Sequence, residues 1–167
     1  MTRIIGREKE IDILNQIQTS KKAELVALYG RRRVGKTFLV QQCLSNKGVY
    51  LECTGLKDGS MRDQLANFIK SFQTVFHPNL PLSIPKSWRD AFELLTQEMK
   101  QLPKSKRVII FLDEIPWLAT KKSRLLQSLD YFWNTEWSKI SNLKLIVCGS
   151  AASWMLNKLI NAKGGLY

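Results

Sequence analysis

An α/β fold built on a largely parallel sheet, with helices on both faces, is predicted by three features of this chain. Short apolar β-like runs alternate with amphipathic helical stretches, the pattern of strands joined by helical crossovers. Two of the runs, VIIFL and LKLIVC, are almost continuously apolar, as central strands covered on both faces should be. The stretch ALYGRRRVGKTFLV, residues 27–40, sets two glycines, a lysine and a threonine at the junction between an apolar run and a helical pattern.

Each element can be justified in turn. Ile11, Leu14 and Ile17 mark a helix near the start. Strands are expected at Glu24–Tyr29, Gly48–Thr54, Arg107–Leu112 and Leu143–Cys148. TFLVQQCL reads as the helix after the first strand. Met61, Leu65, Phe68, Ile69, Phe72 and Phe76 fall on one helical face. Trp88, Phe92, Leu95, Met99 and Leu102 do the same, as do Leu125, Leu129, Phe132, Trp133 and Trp137. Ala152, Met155, Leu156, Leu159 and Ile160 predict a last helix. HPNLPLSIPKS, residues 77–87, holds Pro78, Pro81 and Pro85 and is expected to be a loop within one domain.

The 167 residues, 44% hydrophobic and 24% charged, suit a single globular domain spanning residues 1–167. No apolar run approaches the roughly 18–20 residues that cross a bilayer. MTRIIGREKE lacks the apolar stretch of a secretory signal. Cys43, Cys53 and Cys148 form no C-x-x-C pair and read as reduced, mostly buried thiols of a cytoplasmic protein. The net charge of +12 is shared evenly, with 13 basic and 7 acidic residues in each half of the chain. It indicates a generally basic surface rather than a dedicated arm, and permits attraction to phosphate-rich partners, nucleotide or nucleic acid.

Gly30, Gly35, Lys36 and Thr37 match G-x-x-x-x-G-K-[ST]. Such a loop turns backbone N–H groups inward, and the following helix adds its positive dipole end. Lys36 would reach the outer phosphates, and the Thr37 hydroxyl would face Mg²⁺. The phosphate-side set runs through Gly30, Arg31, Arg32, Arg33, Val34, Gly35, Lys36, Thr37 and Phe38. Chance alone would give on the order of one such match per hundred chains of this size, and the strand-then-helix context lowers that. For Arg31, Arg32 and Arg33, phosphate contact and a solvated basic loop weigh equally.

RVIIFLDEIPWL adds an acidic pair behind a buried strand. Asp113 could hold the Mg²⁺ shell and Glu114 could orient or deprotonate an attacking water. Alone, such a pair is more often a turn or a helix cap; with the upstream loop, the catalytic reading is favoured. Ser150 follows the fourth run and would reach the γ-phosphate or the water if that strand lay between the other two. Capping the helix that follows is nearly as good a reading.

Together, RIIGREKEIDIL, YGRRRVGKTFL, FLDEIPWLA, DYFWNTEW and LIVCGSAASWM resemble the archaeal-type ATPase family of P-loop NTPases, within the AAA+/STAND-like group. The resemblance covers nearly the whole chain. It implies a three-layer fold whose sheet inserts LKLIVC between the P-loop strand and the Asp-Glu strand. ATP with Mg²⁺ is the nucleotide it implies. It assigns Lys36 and Thr37 to phosphate and metal, Asp113 to metal, Glu114 to water activation and Ser150 to a polar sensor. Gly6 and Arg7 resemble the family's N-terminal nucleotide-side motif, although charge and position alone make Arg7 and Glu8 solvated residues starting a helix. Members of the family continue into a further strand, a lid and often a C-terminal winged-helix or nuclease-like region. The expectation is therefore an N-terminal fragment of a longer protein, whose open sheet edge would invite self-association.

The function expected is an ATP-binding, ATP-hydrolysing motor or switch domain. A nucleotide-gated module that binds DNA or protein without catalysis is the second reading, and a small-molecule or nucleotide kinase the third. His77 stands alone in the sequence, so neither a metal site nor a Ser-His-Asp set with an orienting partner is expected. The tryptophans read mainly as core, with Trp117 near enough to Asp113 and Glu114 to pack beside the site.

Overall fold

A computed structural model describes residues 7–30 and 35–160. Its elements follow the apolar runs closely: α1 (Glu8–Thr19), β1 (Glu24–Tyr29), α2 (Lys36–Leu44), β2 (Val49–Thr54), α3 (Met61–Phe76), α4 (Trp88–Gln101), β3 (Val108–Asp113), α5 (Ile115–Leu118), α6 (Leu125–Thr135), β4 (Leu143–Gly149) and α7 (Ala152–Trp154).

The four strands form one sheet in the order β1-β4-β3-β2, with every neighbouring pair parallel. β4, the last strand in the chain, thus lies between the first and the third, as the resemblance implied. Every residue of β3 and β4 is buried, the result expected of apolar runs covered on both faces. β1 is half-buried, and its outer edge pairs with no other strand among the described residues.

Alternation along the strands divides the core in two. On one face, Leu51, Cys53, Val108, Ile110, Leu112, Leu145 and Val147 meet α3, α4 and α6. That side is aromatic: Phe92 lies 5.6 Å from Trp88, 6.0 Å from Phe132 and 5.1 Å from Trp137, ring centre to ring centre. On the other, Ile109, Phe111, Ile146 and Cys148 meet Leu14 of α1 and Leu39, Val40, Cys43 and Leu44 of α2.

Helix starts follow their caps. Ser60 accepts from the Asp63 amide at 3.1 Å while Asp63 accepts from the Ser60 amide at 2.9 Å, a reciprocal capping box that opens α3. Ser87 caps α4 through the Asp90 amide at 3.1 Å.

Three details differ from the sequence reading. The four-residue α5, with Pro116 in its first turn, is too short to leave a periodic signature. Trp137 belongs to a separate 3₁₀ turn, Trp137–Lys139, beyond the end of α6. After Trp154 the last helix widens into π-type winding over Met155–Ile160, which keeps Met155 and Leu159 buried.

One exclusion is corrected. His77, expected to lack an orienting partner, places Nε2 2.5 Å from Glu98 Oε1. Glu98 lies 21 residues away on α4, and packing of α3 against α4 brings the two together. No serine joins the pair in the hydrogen bonds of the described residues.

Candidate functional site at the carboxyl ends of the strands

The site gathers where β1, β4 and β3 end, the edge at which open α/β sheets take ligands. Gly35 opens α2 with φ 82°, a left-handed conformation that would strain a side-chain-bearing residue by about 1–2 kcal/mol. Among the described residues, no heavy atom stands within 4 Å of where a Cβ would be. Lys36 begins the helix, is only 8% exposed, and its Nζ donates to the Gly30 carbonyl at 3.0 Å. Its ammonium is therefore held at the end of β1.

Thr37 Oγ1 donates to Asp113 Oδ2 at 2.8 Å, across 76 residues of sequence. Asp113 is 4% exposed. Burial, the largest cause, pushes its carboxyl above the ordinary range; the Thr37 hydrogen bond opposes this, and the charge of Glu114 adds to it. Glu52, one strand over, adds in the same direction. Its carboxylate is held by Tyr50 at 2.6 Å and by the Gln41 amide at 3.1 and 3.0 Å. The sequence reading missed Glu52. Its signal was a carboxylate two residues from Tyr50, which places both on one face of β2.

Glu114 has φ 51° and ψ 53°, the left-handed region rarely entered by a side-chain-bearing residue. Its amide donates to Asp113 Oδ1 at 3.0 Å, and its carbonyl accepts from Trp117 and Leu118 at 2.9 and 3.2 Å. These bonds hold the strained turn. Across the gap, Gly149 lets β4 end against α5: a Cβ there would stand 2.9 Å from Pro116 Cδ and 2.8 Å from Met155 Sδ. The next residue, Ser150, consequently meets Glu114. Its hydroxyl donates to Glu114 Oε2 at 3.1 Å and its amide approaches the same oxygen at 3.4 Å. No side chain caps α7, so the serine hydroxyl serves Glu114 and not the helix.

Lys36, Thr37, Asp113, Glu114 and Ser150 are thus linked through contacts at one edge of the sheet. Phe38 lies on α2 and is 39% exposed. Arg7 stands at the start of α1, 3.7 Å from Glu10. Gly6, Arg31, Arg32, Arg33 and Val34 lie outside the described residues. Trp117 belongs to α5, directly behind Glu114. All three cysteines are buried and free. Burial, then the charge of Asp113, pushes the Cys148 thiol up to about 12, which leaves it protonated and inert at neutral pH.

The donor set fits a magnesium ion. Among the described residues, no group of three or more His, Cys, Asp or Glu side chains could hold a metal. One hydroxyl and one carboxylate already touch, however, and the carboxylate is buried. A hard cation there would offset the desolvation of Asp113 and take oxygens from both residues, with its remaining positions left to phosphate and water. No helix among the described residues is long and apolar enough to cross a membrane.

Comparison with known proteins places the chain in a family. The model for an ATPase domain predominantly from Archaea matches residues 4–167. The chain belongs to this family. A protein of unestablished function from Methanocaldococcus jannaschii is 29% identical to this ATPase domain over 165 residues, 98% of the chain but 33% of that protein. The Walker-type ATPase of Pyrococcus abyssi superposes with a TM-score of 0.58 at 24% identity, over 93% of this chain and 48% of that one. A chain of the Drosophila ORC bound to DNA gives 0.61 at 18% identity, over 92% of this chain and 40% of that one. At these identities the two structures show a shared fold. The domain spans about a third of the curated relative and less than half of each structural neighbour.

Proposed function

We propose that this ATPase domain binds ATP with Mg²⁺ and hydrolyses it to ADP and phosphate, acting as a motor or switch within a larger protein. The observation that carries the reading is the Ser150–Glu114 contact beside the Thr37–Asp113 contact. It sets a carboxylate for water activation next to a hydroxyl–carboxylate pair suited to a metal.

In this reading Lys36 leaves the Gly30 carbonyl to hold the outer phosphates. Thr37 and Asp113 hold the ion, which, when bound, neutralises charge on the phosphate oxygens. Glu114 accepts the proton of the attacking water. Ser150 keeps the Glu114 carboxylate aimed and senses whether the γ-phosphate is present. Phe38 belongs to the phosphate-side set; the family resemblance also assigns Arg7 to the base or ribose side.

The test is equilibrium binding of ATP and ADP, with and without Mg²⁺, followed by turnover. Lys36→Ala is expected to weaken ATP binding by at least about 100-fold, the scale of losing charge-assisted phosphate contacts. Glu114→Gln is expected to keep binding and lose turnover by about 100-fold or more. Turnover undiminished in Glu114→Gln would remove that residue from the mechanism.

A nucleotide-gated nucleic-acid or protein binder is the second reading. It is favoured by the net charge of +12 and by the structural likeness to an ORC chain bound to DNA. In that case occupancy alone would change partner affinity, with no turnover required. A kinase is the weakest reading, because Glu114 and Ser150 suit water rather than a second substrate; phosphate transfer to a nucleoside panel would revive it.

A further inference from the structure

Two open cavities, of about 350 and 420 Å³, adjoin each other near the start of α6 and share Ser123, Arg124 and Gln127. Arg89, Lys122, Arg124 and Lys158 line them, and neither lining contains an Asp or a Glu. The whole chain carries 14 acidic residues against 26 basic ones, so four cations together with no carboxylate form a locally one-signed surface. All four are exposed.

Two further features set this surface apart. Lys122 and Arg124 have φ of 61° and 58°, a conformation that costs side-chain-bearing residues about 1–2 kcal/mol each. Glycine would sit there at less cost, yet the chain carries cations. Aromatic side chains also accompany the charges. Trp154 lines one cavity, and Tyr131, 47% exposed, lines the other with the Arg89 guanidinium 5.1 Å from its ring centre.

The surface is also tied to the nucleotide site through the chain. Residues 119–124 leave α5, whose N-cap is Glu114. Trp154 and Lys158 follow Ser150 by four and eight residues. The two segments that depart from the Glu114–Ser150 contact therefore meet again around the larger cavity.

We propose that this surface docks the phosphate backbone of a nucleic-acid strand, and that the Glu114–Ser150 contact couples nucleotide occupancy to its shape. The coupling rests on the ATPase reading; the docking surface does not. Phosphates spaced along a strand suit several separate cations better than a single anion does, and the aromatic rings offer faces to unstacked bases.

Fluorescence anisotropy with labelled 20-nucleotide single-stranded and duplex DNA and single-stranded RNA would test it. One triple variant, Lys122→Ala, Arg124→Ala and Lys158→Ala, removes the cations of the larger cavity. A second, Lys57→Ala, Lys70→Ala and Lys104→Ala, removes the same net charge from exposed positions elsewhere. The first is expected to weaken binding about tenfold or more and to flatten the log–log salt slope by about 2 on single strands or about 3 on duplex; the second should change affinity by less than about twofold. Equal losses in both triples, or no binding by the parent chain at about 50 mM salt, would overturn the docking surface. Displacement of the oligonucleotide by polyglutamate at equal charge would overturn the choice of nucleic acid in favour of an acidic protein. ATP titration of the same proteins separates the two levels. Oligonucleotide binding that is intact but indifferent to ATP, in a chain that does bind ATP, would overturn the coupling alone.

Discussion

The two faces of the sheet differ in what they hold and what they do. The face under α3, α4 and α6 buries a continuous cluster that includes Phe68, Phe72, Trp88, Phe92, Phe132 and Trp137. The face under α1 and α2 buries a smaller, mostly aliphatic cluster. Yet the thin face carries α2, with Lys36 and Thr37 in its first turn. The proposed binding groups thus begin a helix that packs on the lighter side. The aromatic side packs behind β3, which ends at Asp113, and β4, which ends one residue before Ser150.

The comparison can be broken most severely from the heavy face. Phe92→Ala removes a fully buried ring from the middle of the aromatic cluster and is expected to cost about 3–5 kcal/mol. Chemical denaturation would measure it. A cost below about 1 kcal/mol would mean that stability is not concentrated there.

At the edge of the thin face, Ser150→Ala frees the Glu114 carboxylate from its hydroxyl partner. Under the proposed mechanism turnover should fall about 10–100-fold and ATP affinity by less, since the change acts first on the water-activating carboxylate. An equal loss in affinity and turnover would place Ser150 in ground-state binding instead.

The smallest expected effect concerns Asp113 and has the opposite sign for stability and for binding. Its folded carboxyl titrates above its unfolded value because of burial. The stability it contributes is present at low pH and is lost as pH rises through the folded value. Asp113→Asn should therefore stabilise the nucleotide-free, magnesium-free chain by about 1 kcal/mol at pH 7, raising Tm by a few degrees. The gain should shrink as pH falls through the folded value toward the unfolded one and the parent carboxyl takes up its proton. The same variant should lose Mg²⁺-dependent ATP binding. A lower Tm at pH 7 would show that the Thr37 hydrogen bond outweighs the burial cost.

Much of the fold was legible because its signals are local. Continuous apolar runs marked β3 and β4, and helical periodicity marked α3, α4 and α6 within a residue or two. The Gly-Lys-Thr run and the Asp-Glu pair were legible because each is a local motif of particular residue types at short spacing. The contacts that invert or refine these readings span the chain. His77 found Glu98 only because α3 packs on α4. Lys144, within an apolar strand, is 1% exposed yet satisfied by the carbonyls of Ser20, Lys22 and Ser141, which no spacing announces.

By itself, then, the sequence determined four strands, the longer helices between them, and five candidate site side chains. The family resemblance implied that β4 lies between β1 and β3, and tertiary structure alone decided that this order brings Ser150 to Glu114. The reason is physical. Hydrophobic periodicity reports how each segment sits relative to water, whereas strand order and register are settled by competition among whole surfaces for burial. The left-handed turn at Glu114 and the close approach of Gly149 to Pro116 exist only once that competition has been decided.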